Sequence, residues 1–202
     1  QVFAGVKNEI PPKEPQNDTA FLVQGADRPQ GTRYTYITGN KAVIDVFGAI
    51  IPRANMMSEY SGGTSCQMLL KDIHFLQQQP FIDEVLFCFH TPGGDVTGIS
   101  DTAKAIKDLS KNKKVNAYVS GMACSAGYWL ASACDKIYAN ENATVGSIGV
   151  MAAYRDNTKQ LSMIGIEEIE FISSQSPLKN ADPKSKKGAA EIQKRVDAQS
   201  QI

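Results

Sequence analysis

The 202-residue sequence has few of the side chains that metal and redox sites require. It contains two histidines, His74 and His90, and four cysteines with no Cys-x-x-Cys spacing. Structural zinc sites are built from four such ligands, so the sequence predicts no metal site and no cofactor. Two of the cysteines lie in strongly apolar stretches, which is typical of buried, reduced thiols and favours a reducing compartment.

Net charge and long apolar runs are also absent. The sequence has 21 Lys plus Arg and 21 Asp plus Glu, so no basic field is available to hold a nucleic acid or an anionic membrane. It has no apolar run of about 18 residues, no secretory leader pattern and neither of the common phosphate-loop motifs. These absences predict a cytoplasmic protein with no membrane segment and no nucleotide site.

Proline and polar residues dominate the start of the chain. Four prolines lie among Gln, Asn and Lys in residues 1–32, a composition that rarely folds alone. We therefore predict an N-terminal arm over 1–32 and one domain over 33–202. The helical pattern that closes the sequence runs to its last residue, as in a truncated helix.

Strand and helix patterns alternate through the predicted domain. The first two strands flank Gly39-Asn40, a dipeptide that supplies positive φ angles in tight hairpins. The later patterns predict strands over 83–90, 114–120, 136–139 and 167–173, and helices over 66–79, 101–114, 125–134, 157–165 and 188–202. Such alternation indicates an α/β fold with a largely parallel sheet, whose sites are built on the loops that follow the strands.

Two of those loops have residues suited to acyl transfer. Gly93 and Gly94 follow a strand, and their backbone amides can approach a substrate with no Cβ in the way, although a tight turn explains them equally. Ser125 lies between a strand and a helix among small residues, where it is either an accessible nucleophile or a helix N-cap. Cys124 is a competing nucleophile.

A serine nucleophile needs a general base, and the sequence offers few. His74 lies within a helix, whereas His90 ends the strand before the glycines and is either a base or a polar strand-end residue. The other candidate is a lysine whose pKa is lowered by desolvation. Lys179 follows Pro177 and Leu178 after the predicted strand over 167–173, where the chain should still lie near the sheet edge. Lys184 and its neighbours have the pattern of a solvated surface.

Three separated motifs carry a resemblance to a known family. They are "TPGGDV" at 91–96, "SGMACSAGYWLASACDKIYANENATVGSIGV" at 120–150 and "SSQSPLKNADP" at 173–183. Together they resemble the signal peptide peptidase A (protease IV) family of Ser/Lys peptidases, especially its bacteriophage and prophage branch, over roughly residues 42–202. The resemblance implies the Clp protease/crotonase fold, a spiral of ββα units, and proteolysis without a histidine.

The resemblance also implies roles for individual residues. Ser125 corresponds to the nucleophile and Lys179 to the general base. Gly94 and the amide of Ala126 correspond to the oxyanion hole, with Gly93 shaping its turn. Ser147 matches the serine that orients the lysine, and turn hydrogen bonding is its alternative role. Pro177 and Leu178 stand where family members often have glycines beside the lysine.

The resemblance leaves three functions open. The first is a phage serine endopeptidase that trims capsid or scaffold proteins in the procapsid during head maturation. The second is a signal-peptide-degrading enzyme of the cell envelope, which needs an N-terminal anchor. The third is an inactive scaffold or an acyl-CoA-binding protein of the same fold. The family also implies a polypeptide substrate and a homo-oligomeric ring or dome.

Overall fold

The computed structural model describes residues 25–56, 62–175, 180 and 182–200, in two compact units that divide after Ile148. None of the helices in these ranges is both long enough and apolar enough to cross a membrane. The described elements of the first unit are, in chain order, β1 (Thr35–Thr38), β2 (Lys41–Phe47), β3 (Ile50–Ile51), β4 (Thr64–Ser65), α1 (Cys66–Gln77), β5 (Glu84–Thr91), α2 (Ile99–Leu109), β6 (Lys114–Cys124), α3 (Ala126–Ser132), β7 (Lys136–Ala139) and β8 (Thr144–Gly146).

The main sheet has the order β1-β2-β5-β6-β7, and β8 also pairs with β6. The β1–β2 pair is antiparallel and the other pairs are parallel. A second layer is formed by β3 and β4, and an isolated parallel bridge between Ile50 and Gly94 extends it. A long strand, a short segment of the second layer and a helix therefore follow one another along the chain. The predicted α/β class, parallel sheet and ββα order are confirmed.

The hairpin between β1 and β2 differs in one detail from its prediction. Thr38 pairs with Lys41, so Gly39 and Asn40 form the two-residue turn as predicted. Only Gly39 has a positive φ, of 58°. The prediction of positive φ at both residues was wrong, because a turn with glycine at its first central position needs it there alone, as in type II′.

The core lies where α1 and α2 cover the central strands. The almost uninterrupted apolar run of β5 fits a central parallel strand, and its Phe87 and Phe89 are fully buried. Both helices bury one apolar face against the sheet, as their spacing predicted. The buried apolar residues of the two helices are Cys66, Leu69, Ile73, Leu76, Ile99, Ala103, Ala105, Ile106 and Leu109.

The second unit contains α4 (Thr158–Met163) and α5 (Lys186–Ser200) within its described residues. The strand predicted over 167–173 is wrong, because that segment has no strand assignment in the structure. Alternating apolar residues suggested a half-buried strand, yet Ile169 is 72% exposed and Phe171 is 96% exposed. Alternation needs a paired neighbour to become a strand, and no described residue provides one.

A buried carboxylate on α1 fixes the entry to the sheet. Asp72 is 1% exposed. Its two oxygens accept hydrogen bonds from Arg33 N at 2.9 and 3.1 Å, Tyr34 N at 2.6 Å and the Thr35 hydroxyl at 2.9 Å. Burial raises the pKa of this carboxyl group, and the donated bonds oppose that rise. Asp72 therefore anchors the start of β1 to a helix that follows it in the chain.

Replacement of Asp72 by Asn tests this anchor. An amide nitrogen cannot accept from the N–H groups that converge there, so at least one buried donor loses its partner. We expect the free energy of unfolding to fall by about 1–3 kcal/mol in urea titrations followed by circular dichroism. The control is Asp83→Asn, because Asp83 accepts a single exposed bond from Asn40 and its change should stay within about 0.5 kcal/mol. Equal losses in the two variants would contradict the anchor.

Candidate active site

Ser125 lies between the last residue of β6 and the first residue of α3, in an unusual backbone conformation. Its φ is 52° and its ψ is −121°. Among the described residues, only Ser125 and Ser147 have a positive φ without being glycine. Such a conformation costs on the order of 1–3 kcal/mol and persists only where the surroundings enforce it. A sharp turn from strand to helix that carries a serine is typical of exposed nucleophiles.

Backbone hydrogen bonds hold this conformation from both sides. Cys124 pairs with Gly146 in the β6–β8 ladder. Ser125 N donates to Gly146 O at 2.8 Å, and Trp129 N donates to Ser125 O at 3.0 Å. The serine is thus fixed by β8 on one side and by the first turn of α3 on the other.

The hydroxyl of Ser125 does not cap the helix that follows it. The structure gives α3 no side-chain capping hydrogen bond from this residue, although Ser125 occupies the N-cap position. The N-cap alternative, which the sequence left open, is therefore wrong. The residue is half-buried, and its hydroxyl is not used to cap α3.

Gly93 brings the glycine loop into direct contact with the serine. It has a φ of 95°, and a Cβ added to it would lie 2.9 Å from Ser125 Cβ and 3.1 Å from Ala126 N. It would also lie 2.7 Å from the Cys124 carbonyl oxygen. These distances leave no room for a side chain, so the contact with Ser125 requires glycine here in addition to the turn conformation.

Gly94 is held by the second layer of strands. Ile50 N donates to Gly93 O and Asp95 N donates to Ile50 O, both at 2.9 Å. A Cβ on Gly94 would lie 2.0 Å from the Ile50 carbonyl oxygen, so glycine is required here as well. Neither of the two bonds uses the N–H of Gly94, because ladder geometry directs that group away from β3. The structure brings Gly93, Gly94, Ser125 and Ala126 together, as the resemblance implied.

Of the residues expected to act as the base or to orient it, the structure describes Ser147 but not Lys179. Ser147 follows the Gly146 carbonyl that binds Ser125, has a φ of 54° and is exposed. Lys179 lies outside the described residues. Lys184 forms an exposed ion pair with Asp156 that raises the pKa of its ammonium group, so it stays protonated. The sequence prediction of a solvated surface for Lys184 is confirmed.

The alternative base and nucleophile are engaged in packing. The His90 ring lies 5.4 Å from the Phe47 ring and fills the space that a Cβ on Gly121 would occupy. These contacts favour the interpretation of His90 as a packed strand-end residue. Cys124 Sγ donates to Thr144 O at 3.8 Å.

The remaining three thiols are buried, and no metal cluster accompanies them. Burial raises the pKa of Cys66, and it raises the pKa of Cys88 and of Cys134 to about 12. These groups are therefore uncharged at neutral pH. Within the described ranges, no group of three or more His, Cys, Asp or Glu side chains is placed to hold a metal ion.

Thr91 contributes to the site although nothing in the sequence reasoning singled it out. It is fully buried at the end of β5, and its hydroxyl contacts the glycine loop. A threonine directly before Pro-Gly-Gly at a strand end was the available signal. Its other hydrogen-bond partner, Gly48, lies 43 residues away, so the sequence did not indicate that Thr91 links the two loops.

Comparison with known proteins gives related sequences. Residues 107–202 match the model of peptidase family S49. Capsid assembly protease C of Escherichia phage lambda is 33% identical over 167 residues, which cover 83% of this chain and 38% of that protein. Head-tail preconnector protein GP5 of Enterobacteria phage P21 is 29% identical over 150 residues, which cover 74% of this chain and 30% of that protein. This chain thus spans well under half the length of these two relatives.

A solved structure of an enoyl-CoA hydratase from Polaromonas sp. JS666 also aligns with the chain. The TM-score is 0.44 at 18% sequence identity, and the alignment covers 82% of this chain and 76% of that chain.

Gly93→Ala tests the contact between the glycine loop and Ser125. The added methyl group must displace either the loop or the serine, and a displacement of about 1 Å at a reacting group can cost about 100-fold in rate. We expect modification of Ser125 by a fluorophosphonate probe, followed by intact mass, to slow by about that factor. Gly31→Ala is the control, because Gly31 has a similar φ of 87° but open space around it. A normal rate in Gly93→Ala would contradict the contact.

Proposed function

Because this chain carries a domain of peptidase family S49, we propose that it is a serine endopeptidase with Ser125 as nucleophile and Lys179 as general base. The observation that carries the proposal is the positive φ of Ser125. Its side chain does not cap α3 and lies beside Gly93 and the amide of Ala126. A strained serine at a strand-to-helix turn, next to backbone amides, is the arrangement that acyl transfer needs.

The proposed reaction follows from these groups. The neutral amine of Lys179 accepts the Ser125 proton while Oγ attacks the peptide carbonyl carbon. The amides of Gly94 and Ala126 stabilise the oxyanion, and the protonated lysine gives its proton to the leaving amine. Water then attacks the acyl carbon and loses a proton to the same lysine. The bond from the acyl carbon to Oγ breaks, the lysine returns its proton to Ser125 Oγ, and the carboxyl product leaves. Ser147 orients the lysine amine.

The roles of Gly93 and Gly94 in this scheme are distinct. Gly93 N donates to the Thr91 hydroxyl at 3.1 Å, so its amide is already engaged. Gly94 is exposed, and its N–H is not used by the bonds that tie the loop to Ile50. We therefore assign the loop's contribution to the oxyanion hole to Gly94, while Gly93 provides the close approach.

We further propose that the natural substrates are capsid or scaffold proteins, cleaved in the phage procapsid during head maturation. The names of the phage lambda and phage P21 relatives support this, since one is a capsid assembly protease and the other a head-tail preconnector protein. Two alternatives to this function remain for the experiment to test. One is a signal-peptide-degrading envelope enzyme, and the other is an inactive or acyl-CoA-binding protein.

Covalent labelling tests the dyad. Wild-type protein should gain one fluorophosphonate adduct in intact-mass measurements, and both Ser125→Ala and Lys179→Ala should lose it. Removal of catalytic groups of this kind lowers rates by about 10⁴-fold or more, so the loss should be complete on the time scale of minutes. Lys184→Ala is the matched control, because Lys184 is an exposed lysine, five residues after Lys179 in the sequence, that is held protonated by Asp156.

The outcomes separate the alternatives. Labelling that survives in Lys179→Ala would assign the base to another residue, and labelling that survives in Ser125→Ala would overturn the nucleophile. A folded wild-type protein that is never labelled would favour the inactive or acyl-CoA-binding alternative. A panel of capsid, scaffold and signal-peptide substrates would then decide between the two peptidase functions.

We also propose that copies of this chain assemble into a ring or dome. Large apolar side chains are exposed from residue 148 onwards, including Ile148 at 82% and Phe171 at 96%. Exposed apolar side chains in such number usually mark an interaction surface.

Sedimentation velocity measurements, which report the size of the protein in solution, test whether it assembles. Phe171→Asp places a charge where apolar burial would drive association, so the sedimentation velocity of this variant should fall towards that of a monomer. Phe81→Asp is the control, since Phe81 is 53% exposed in the first unit, outside the apolar segment that begins at residue 148. A wild-type protein that sediments as a monomer at all concentrations would contradict assembly.

A further inference from the structure

Thr91 is a buried polar residue whose hydroxyl both donates and accepts a hydrogen bond. It is 0% exposed. Its hydroxyl donates to Gly48 O at 2.6 Å and accepts from Gly93 N at 3.1 Å. Gly48 directly follows β2, and the glycine loop follows β5, which lies beside β2 in the sheet. The Thr91 side chain therefore joins the ends of two neighbouring strands.

The methyl group of Thr91 makes a separate contact with α3. A Cβ added to Gly127 would lie 2.4 Å from Thr91 Cγ2, so the methyl group rests directly on the first turn of that helix. Ala126 and Ser125 immediately precede Gly127. Thr91 therefore contacts a residue beside each donor of the proposed oxyanion hole: Gly93, before Gly94, through its hydroxyl, and Gly127, after Ala126, through its methyl group.

The hydroxyl contact controls a position that tolerates little movement. Gly93 lies so close to Ser125 that an added Cβ would be 2.9 Å from Ser125 Cβ. On its other side the loop is fixed by the two hydrogen bonds to Ile50. Thr91 therefore holds the Pro92–Gly93 peptide at the Gly93 N–H, and Ile50 holds the next peptide at the Gly93 C=O. That second peptide contains the Gly94 N–H, so both sides of Gly93 must stay in place for this group to keep its direction.

We propose that Thr91 is a positioning residue that fixes the Gly94 amide relative to Ser125 Oγ, so that the oxyanion hole exists before substrate binds. This inference rests on the proposed peptidase function. The Thr91 hydroxyl touches no reacting atom. It acts by holding the Gly93 N–H, and with it the Pro92–Gly93 peptide, so that the next peptide starts from a fixed position and keeps the Gly94 N–H directed at the developing oxyanion.

Two pairs of variants isolate the hydroxyl. Wild type and Thr91→Val share the branched shape that packs on Gly127 and differ in the hydroxyl. Thr91→Ser and Thr91→Ala both lack the methyl group and differ in the hydroxyl. If Thr91→Val does not fold, the Ser and Ala pair still answers the question. Each variant is made in the full chain and assayed in its native assembly.

The measured quantity is the rate per active site. Fluorophosphonate titration counts competent sites, and hydrolysis of a peptide substrate then gives kcat and KM for each site. A role in stability alone changes the number of sites and leaves the rate of each unchanged. We expect loss of the hydroxyl to lower kcat about 10- to 100-fold, with KM changed by less than about 3-fold, because the hole binds the transition state. Thr91→Ser should stay within about 3-fold of wild type.

The results that overturn the inference are distinct from failure of the peptidase proposal. An unchanged kcat per site in both hydroxyl-free variants would show that Thr91 is structural only. A Thr91→Ser variant as slow as Thr91→Ala would assign the effect to the methyl group. A wild-type protein that is not labelled at Ser125, or a Ser125→Ala variant that retains hydrolysis, would instead overturn the proposed function.

Discussion

The backbone of Ser125 is the constraint on which the site depends. A φ of 52° is unfavourable for a serine, and here it is imposed by the bond to Gly146, by the start of α3 and by the close approach of Gly93. Each of these contacts comes from a different element. The parallel pairing of β6 with β8 supplies the first, and the order of β5 beside β6 supplies the last. The sheet therefore does more than carry the serine, because it enforces a conformation that the chain would otherwise avoid.

Glycine is required where these elements meet, for steric reasons that differ from place to place. Gly93 is crowded by Ser125, Gly94 by Ile50, and Gly127 by Thr91. In the last two cases the forbidden Cβ would lie 2.0 Å from a carbonyl oxygen and 2.4 Å from a methyl carbon, distances that no side-chain adjustment at the glycine relieves. This close packing places the glycine loop directly against Ser125 and the first residue of α3.

Local periodicity accounts for what the sequence could predict of this fold. The helices over 66–77 and 99–109 and the buried strand β5 follow from spacing that each segment carries alone. The bonds of Asp72 to the start of β1 and of Thr91 to Gly48 could not be predicted, because these partners lie 37 to 43 residues away. The segment over 167–173 failed for a related reason, since alternation shows that two faces differ but cannot supply a neighbouring strand. For the site, the resemblance grouped Ser125 with Gly93 and Gly94, while residue chemistry alone left a cap and a turn as alternatives.

The hydrogen bond between Gly93 N and Thr91 limits what the loop can offer to a substrate. An amide that already donates to a buried hydroxyl cannot also stabilise an oxyanion at full strength, so Gly94 is the loop's available donor. In the proposed mechanism the oxyanion is held by backbone groups, while the nucleophile and the base are side chains. Such a mechanism needs no histidine, and the two histidines of this chain are packed or exposed. The proposed role of the buried Thr91 is to fix the direction of the Gly94 N–H, one of the two donors.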